Sequence, residues 1–161
     1  MILTLRDVTE RDLPLLLAWR QDREVMRYLP SAPTRMSWEV EWAWWVGRRN
    51  RLDRMVVGEY WRTSAPDYYP DPPGRTATRP IGVVHYDRET GEVGILMGER
   101  SLWGLGLGKQ ALGMLLEELV GEPRIWALVH PANEASLALF QHAGFKLVGE
   151  GRNGQLRLEL R

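Results

Sequence analysis

Apolar and polar residues alternate at the start of the chain, and apolar residues then recur at helical spacing. The alternation over residues 2–6 predicts a first strand. Thr9 is a good N-cap, and Leu13 and Leu16 follow it at a spacing that predicts a helix. A second short helix is expected over residues 22–28, ahead of a loop that includes residues 33–35.

A tryptophan-rich segment predicts the next helix, which begins after Ser37 and runs to about Arg49. One face of this helix carries Trp38, Trp42, Trp45 and Val46. An apolar stripe at this spacing is more often part of a core than a ligand site. We therefore expect this face of the helix to be buried.

The rest of the chain alternates between strand and helix patterns. Strands are expected over residues 55–61, 81–86, 92–97, 124–129, 146–150 and 155–160, and helices over residues 106–119 and 133–143. Turn residues at 87–91 predict an antiparallel hairpin of the strands on either side. Prolines cluster between residues 63 and 80, so this insertion is expected to be an extended loop. The element order predicts one α/β (α+β) domain over residues 1–161.

The composition excludes several classes of protein. Lysine plus arginine and aspartate plus glutamate each total 21, so the net charge gives no reason to expect nucleic acid or a membrane as partner. The chain has no cysteine, which excludes disulfides and thiolate metal sites. No apolar run has signal-peptide or membrane-spanning character, so a cytoplasmic protein is the expectation. The spacing of His85, His130 and His142 predicts no metal site, and His130 is expected to line a cleft or simply to pack.

The densest chemical signal is the segment 102–112, which reads Leu-Trp-Gly-Leu-Gly-Leu-Gly-Lys-Gln-Ala-Leu. Glycine lets a ligand approach the main chain, and a helix start directly behind it adds unpaired N–H donors that suit a phosphate. Lys109 adds a positive charge. The alternatives are an ordinary strand-to-helix turn and a Rossmann dinucleotide turn, but the latter needs an acidic residue at a second strand end that residues 124–129 lack.

Two linked motifs resemble the GNAT superfamily of acyl-CoA N-acyltransferases. The first joins Glu92-Val-Gly-Ile to the glycine segment, and the second is the run His-Pro-Ala-Asn-Glu-Ala-Ser-Leu-Ala-Leu-Phe-Gln-His-Ala-Gly-Phe at 130–145. More narrowly, the chain resembles the branch that includes ribosomal-protein N-terminal acetyltransferases, which read Trp-Gly-x-Gly at the turn and Asn-x-x-Ser with a terminal Gly-Phe in the next helix. The resemblance is specific over about residues 81–150.

The resemblance implies a fold and a co-substrate. The fold would be a mixed, mostly antiparallel sheet flanked by helices, with two central parallel strands, residues 92–97 and 124–129, that splay apart. Acetyl-CoA would place its pantetheine arm in the splay, against main chain near Leu96, Met97 and Gly98. Its pyrophosphate would lie on the amides of Trp103, Gly104, Leu105, Gly106, Leu107 and Gly108, with Lys109 nearby.

The resemblance also implies candidates for catalysis. Glu92 matches an acidic residue of this branch and is expected to accept the amine proton, directly or through water; the alternative is a surface glutamate. Phe140 stands where many members have a tyrosine that protonates the leaving thiolate. Ser136 is expected to donate a hydrogen bond to the sulfur instead, or else to bond its own helix backbone. Asn133 would contact the pantetheine arm or cap its helix.

These features predict an N-acetyltransferase that moves an acetyl group from acetyl-CoA to a primary amine by direct attack in a ternary complex. The acceptor amine would be a protein N-terminus or a small molecule. The alternatives are an aminoglycoside-type 6′-N-acetyltransferase, which the tryptophan-rich helix also resembles, and a CoA-binding sensor or interaction module without turnover. The resemblance also admits a homodimer. The acidic residues that could attract a cationic acceptor are Asp22, Glu24, Glu41 and Glu59.

Overall fold

The structure is a computed structural model that describes residues 1–29, 36–61 and 76–161. The strands and helices are β1 (Ile2–Asp7), α1 (Leu13–Gln21), α2 (Trp38–Gly47), β2 (Arg51–Trp61), β3 (Thr76–Asp87), β4 (Val93–Met97), α3 (Leu107–Glu118), β5 (Ile125–Val129), α4 (Glu134–His142), β6 (Phe145–Glu150) and β7 (Leu156–Leu160). None of the helices in these three ranges combines the length and apolar content that crossing a membrane requires.

The strands form two sheets that meet at one point. One sheet has the order β1-β2-β3-β4 and is antiparallel throughout, and the other has the order β5-β7-β6. A single parallel bridge, Glu92 with Trp126, joins β4 to β5. Beyond this bridge the two parallel strands diverge, and no ladder joins them in the described chain. The expectation of a mixed, mostly antiparallel sheet with splayed central strands is confirmed.

Helices cover both faces of the four-stranded sheet. Side chains alternate between the two faces along each strand, and both faces carry apolar residues that the helices bury. On β3, Val84 packs in one buried cluster with Leu112 of α3. Its neighbour Val83 packs in a second cluster with Leu16 of α1. The face on which α1 and α2 pack is called the α1 face below.

The prediction of a short helix over residues 22–28 is wrong. This segment forms turns, in which the Asp22 carboxylate accepts hydrogen bonds from Glu24 N at 2.9 Å and Val25 N at 3.4 Å. An aspartate that bonds the backbone two and three residues ahead stabilises a turn in place of a continuing helix.

The prediction that the tryptophan stripe of α2 is buried is wrong. Trp38, Trp42 and Val46 are exposed. Glu41 is fully buried instead, and Trp44 and Trp45 pack against the α1-face cluster. Because α2 carries apolar residues on more than one side, the spacing alone could not determine which side faces the sheet.

The proline-rich insertion is shorter than expected, since β3 already begins at Thr76. Pro80 lies opposite Val57 in the ladder, directly beside a register shift between Val56 and Val57. Proline cannot donate to a ladder, and an irregularity of this kind is where a sheet accepts it. The loop expected at 33–35 and the remainder of the insertion lie outside the described residues.

Candidate active site

The gap between β4 and β5 exposes main-chain groups that no strand of the described chain pairs with. Glu92 O accepts from Asp87 N at 2.8 Å and Gly98 N donates to Ile81 O at 3.0 Å, so these residues direct their groups toward β3. Because the direction alternates along a strand, the N–H and C=O groups of Ile95 and Met97 point into the gap. Main-chain N–H and C=O groups in the interior need partners, so the gap can bind an extended chain with amides of its own.

A hydrogen bond from Trp103 connects the start of the glycine segment to the end of β4. Trp103 Nε1 donates to Met97 O at 2.8 Å, which occupies one of the carbonyls that face the gap. A side chain at Gly98 would meet the ring of Trp19 at 2.0 Å, so the residue must be glycine for α1 to pack here. Of the predicted contacts Leu96, Met97 and Gly98, only Met97 directs its main chain into the gap, and Ile95 is the residue that the sequence did not indicate.

The glycine segment forms a left-handed turn at the N-terminus of α3. Gly104 has φ +78° and Gly106 φ +75°, a region that other residues adopt at a cost. Gly106 is the N-cap, and its carbonyl accepts the first helical bond from Gln110 N at 3.2 Å. The N–H groups of the first turn are therefore unpaired among the described residues, and no acidic residue lies in that turn. This arrangement favours an anion.

Gly108 has a different role from the two other glycines. A side chain there would lie 3.1 Å from Leu139 Cδ1 of α4 and 3.7 Å from side-chain atoms of Ile95 and Met97. Its absence lets α3, α4 and β4 approach one another. Lys109, the next residue, is exposed and supplies a positive charge beside the turn.

Glu92 lies at the closed end of the gap, next to the bridge with Trp126. Its carboxylate accepts two hydrogen bonds from Arg152 Nη2, at 2.9 and 2.7 Å. Arg152 lies between β6 and β7, so this ion pair links the two sheets across β5. The sequence did not indicate Arg152, because the two residues are 60 positions apart.

Three predicted residues lie on α4. Asn133 is the N-cap, and its side chain accepts from Ser136 N at 3.1 Å. Ser136 is partly buried in the first turn of α4, and its hydroxyl makes no hydrogen bond to any residue in the described ranges. Phe140 is 2% exposed and packs edge-to-face on Phe145, with ring centroids 5.1 Å apart. The position at which the resemblance leads one to expect a tyrosine is thus part of the core in this chain.

His130 follows the last residue of β5. Its Nδ1 accepts from Ala132 N at 3.0 Å, which leaves the proton of the neutral ring on Nε2. The ring of Tyr28 lies beside it, with centroids 5.3 Å apart. The segment after α1 therefore reaches the open end of the gap, a contact that sequence spacing could not reveal.

A buried polar group on the α1 face was also missed. Asp53 of β2 lies directly opposite His85 of β3 in the ladder. The Asp53 carboxylate pairs with Arg48 at 3.4 Å and Arg51 at 3.2 Å. Above them, Arg20 of α1 pairs with the fully buried Glu41 of α2 at 2.5 Å.

Burial and the nearby Arg51 guanidinium lower the pKa of His85 from 6.5 to about 4. Since the unfolded chain binds this proton at higher pH than the folded protein, stability should fall as the pH drops from 6.5 toward 4. Between pH 7 and pH 5 the His85→Gln variant should lose roughly 1–2 kcal/mol less than the parent. Urea unfolding of both proteins at the two pH values measures the difference, and equal losses would contradict an imidazole that stays neutral in the folded protein. The charged groups that act on His85 are Arg20, Arg51, Asp53 and Asp87. Arg20 is paired with Glu41, and Asp53 with Arg48.

The sequence has recognisable relatives. A family model described as an acetyltransferase (GNAT) domain matches residues 3–146. An uncharacterized protein of Methanocaldococcus jannaschii is 28% identical over 156 residues, which cover 94% of this chain and 29% of that protein. The chain therefore spans less than a third of the length of this curated relative.

Solved structures resemble the fold over almost the whole chain. A domain from Methanocaldococcus jannaschii is 27% identical, with a TM-score of 0.82 and coverage of 99% of this chain and 97% of that one. The aminoglycoside acetyltransferase AAC(6')-Ib, solved with ribostamycin and coenzyme A, is 18% identical, with a TM-score of 0.76 and coverage of 99% and 93%. At that identity the second likeness is one of fold.

Proposed function

The chain belongs to the GNAT acetyltransferase domain family, and on that premise we propose that it transfers the acetyl group of acetyl-CoA to a primary amine. The observation that carries the proposal is the gap between β4 and β5, where the N–H and C=O of Ile95 and the N–H of Met97 have no partner among the described residues, with an anion-binding helix start beside it. These features fit two parts of one ligand, an arm that contains amides and a pyrophosphate.

The residues present fit acetyl-CoA. The turn at Gly104 and Gly106 has open space above its α-carbons, since a side chain at either position would meet no atom within 4 Å. The N–H groups of residues 103–108 and the charge of Lys109 would hold the pyrophosphate, while the gap-facing groups of Ile95 and the N–H of Met97 would pair with the pantetheine arm. Asn133 caps α4 and keeps the start of that helix in position near the arm.

Acetyl-CoA supplies an activated acyl group whose carbon–sulfur bond breaks as the amine nitrogen bonds to the acetyl carbon. An N–H group of β4 can stabilise the negative charge that develops on the carbonyl oxygen. The amine loses one proton and the thiolate gains one, so the reaction balances without an oxidant or a metal ion. Ser136, whose hydroxyl is unpaired among the described residues, would donate a hydrogen bond to the departing sulfur.

Glu92 is proposed to receive the amine proton through water. Arg152 fixes the orientation of its carboxylate, and each oxygen keeps a lone pair that can accept from a water molecule.

Replacing Glu92 by glutamine should lower kcat by about 100-fold, the lower end for loss of a general base, and leave acetyl-CoA binding unchanged. Release of the CoA thiol at saturating substrates measures kcat. The matched control is Glu89→Gln, an exposed glutamate of the same hairpin. Full activity of Glu92→Gln would show that Glu92 is not the general base.

The charges near the gap favour an acceptor with a single positive charge. Of the predicted cation-attracting residues, Asp22 pairs with Arg100 at 3.5 Å and the buried Glu41 pairs with Arg20. Glu92 pairs with Arg152, whereas Glu24 and Glu59 make no ion pair with a residue in the described ranges. A polycationic acceptor needs a surplus of negative charge, which the three ion pairs reduce. The proposed acceptor is therefore the α-amine of a peptide or protein, in line with the likeness to ribosomal-protein N-terminal acetyltransferases.

The experiment that tests the function compares acceptors in a CoA thiol-release assay. The acceptors are a peptide with a free α-amine, the same peptide with its α-amine acetylated, and an aminoglycoside. Turnover of the free peptide alone is expected. Preferred turnover of the aminoglycoside would favour the aminoglycoside-type enzyme. Tight acetyl-CoA binding without turnover of any amine would favour a sensor or interaction module.

A further inference from the structure

His85 lies on the side of β4 from which an acceptor amine can reach the gap. The opposite side is closed, because Gly108 of α3 packs directly against Leu139, Ile95 and Met97. Alternation along β4 puts Glu92, Gly94 and Leu96 on the α1 face, and Leu96 packs in the cluster of that face. An amine that reaches a thioester in the gap from the α1 face therefore approaches over these three residues.

The imidazole of His85 covers the middle one of these residues. His85 and Gly94 are direct partners in the β3–β4 ladder. A side chain on Gly94 would lie 2.2 Å from His85 Cε1 and 2.7 Å from Nε2. The ring thus occupies the space that any other residue at position 94 would fill. It brings a nitrogen acceptor to the α1 face of β4, between Glu92 and Leu96.

The ring is available for a hydrogen bond. It is only partly buried, and neither nitrogen bonds a residue in the parts of the chain that the structure describes. Its ladder neighbour Asp53 is occupied by Arg48 and Arg51. A neutral imidazole keeps one nitrogen with a free lone pair, and an amine N–H is a suitable donor for it.

We infer that His85 binds the acceptor amine: one imidazole nitrogen accepts an N–H hydrogen bond and so directs the nitrogen lone pair toward the thioester beside Ile95. This assignment rests on the proposed acetyl transfer and names the group that positions its acceptor. Glu92 lies two residues along the same face and receives the proton that leaves after attack. Correct orientation of two bound reactants contributes substantially to rate, and a misplacement of about 1 Å can cost about 100-fold.

The test compares His85→Phe, which keeps a ring over Gly94 but removes both nitrogens, with His85→Asn, which keeps a polar side chain. His85→Phe should lower kcat/KM for the amine by at least about 10-fold and leave the Kd for acetyl-CoA, measured by calorimetry, within about twofold. His85→Asn should recover part of the loss. The matched control is His142→Phe, a histidine on the exposed side of α4, which should keep the parent value.

A second variant tests the same assignment in case the His85 substitutions misfold. Gly94→Ala keeps the imidazole but forces it away from its position over β4, and it should lower kcat/KM for the amine in the same way. Parent-like kcat/KM in Gly94→Ala, or in a folded His85→Phe that binds acetyl-CoA, would overturn the assignment while leaving acetyl transfer intact. A parent protein that acetylates no amine would overturn the proposed function and the role of His85 with it.

Discussion

Replacing Gly106 by aspartate should abolish measurable binding of acetyl-CoA, with a loss of affinity of at least about 100-fold. The substitution puts a carboxylate at the N-cap of α3, where the N–H groups of the first turn are unpaired among the described residues. Two like charges about 4 Å apart near a protein surface repel by about 4 kcal/mol, which alone corresponds to about 1,000-fold. The backbone contributes little to the loss, since aspartate tolerates the left-handed region better than most residues.

Calorimetric titration with acetyl-CoA measures the effect, and Gly121→Asp is the matched control. Gly121 has φ +93° and lies beyond the other end of α3, so this variant carries the same conformational penalty and the same charge away from the turn. The control should bind acetyl-CoA as the parent does. Unchanged binding by Gly106→Asp would move the pyrophosphate away from the glycine turn, and no binding by the parent would overturn the acetyltransferase proposal.

Replacing Ile95 by proline should lower kcat by about 100- to 1,000-fold, the loss typical of removing one oxyanion donor. The N–H of Ile95 points into the gap, so proline removes it without removing a bond of the β3–β4 ladder. Ile95 is chosen over Met97 because it lies further from the N-terminus of α3. An arm that enters beside the pyrophosphate site therefore brings its reactive end toward Ile95.

The matched control is Ile95→Ala, which removes the same side chain but keeps the amide. It should retain kcat within about 10-fold, because only packing is lost and the donor remains. Single-turnover acetyl transfer separates the chemical step from product release. Equal rates in Ile95→Pro and Ile95→Ala would show that the oxyanion donor lies elsewhere on β4.

Local patterns were sufficient to predict most of the elements. The alternation at residues 2–6, the cap at Ser37 and the turn residues at 87–91 each act within a few positions, so their structural effect can be deduced from the chain itself. Asn133 is the clearest case, because a helix start needs an acceptor for an unpaired N–H and asparagine supplies one. The prediction failed at residues 22–28, where the Asp22 side chain stabilises a turn in competition with the helix.

The orientation of α2 could not be predicted from local patterns. Four tryptophans on a ten-residue helix make several faces apolar, and burial of a glutamate on such a helix is improbable from sequence. The Arg20–Glu41 ion pair makes that burial possible, and Arg20 and Arg48 also lie over the ring of Trp44. Each of these contacts joins different elements, so none leaves a trace in the spacing of α2 itself.

The sequence by itself determined the family, the glycine turn and the two strands that frame the gap, because these depend on backbone conformation and on motifs a few residues long. Only the tertiary structure decided which groups meet at the site: Ile95 in the gap, Arg152 on Glu92, Tyr28 beside His130 and His85 over Gly94. These pairings depend on ladder register and on the packing of elements that are distant in the chain. A shift of one residue in register would turn His85 to the other face of the sheet, which is why its position could not be deduced before the strands were paired.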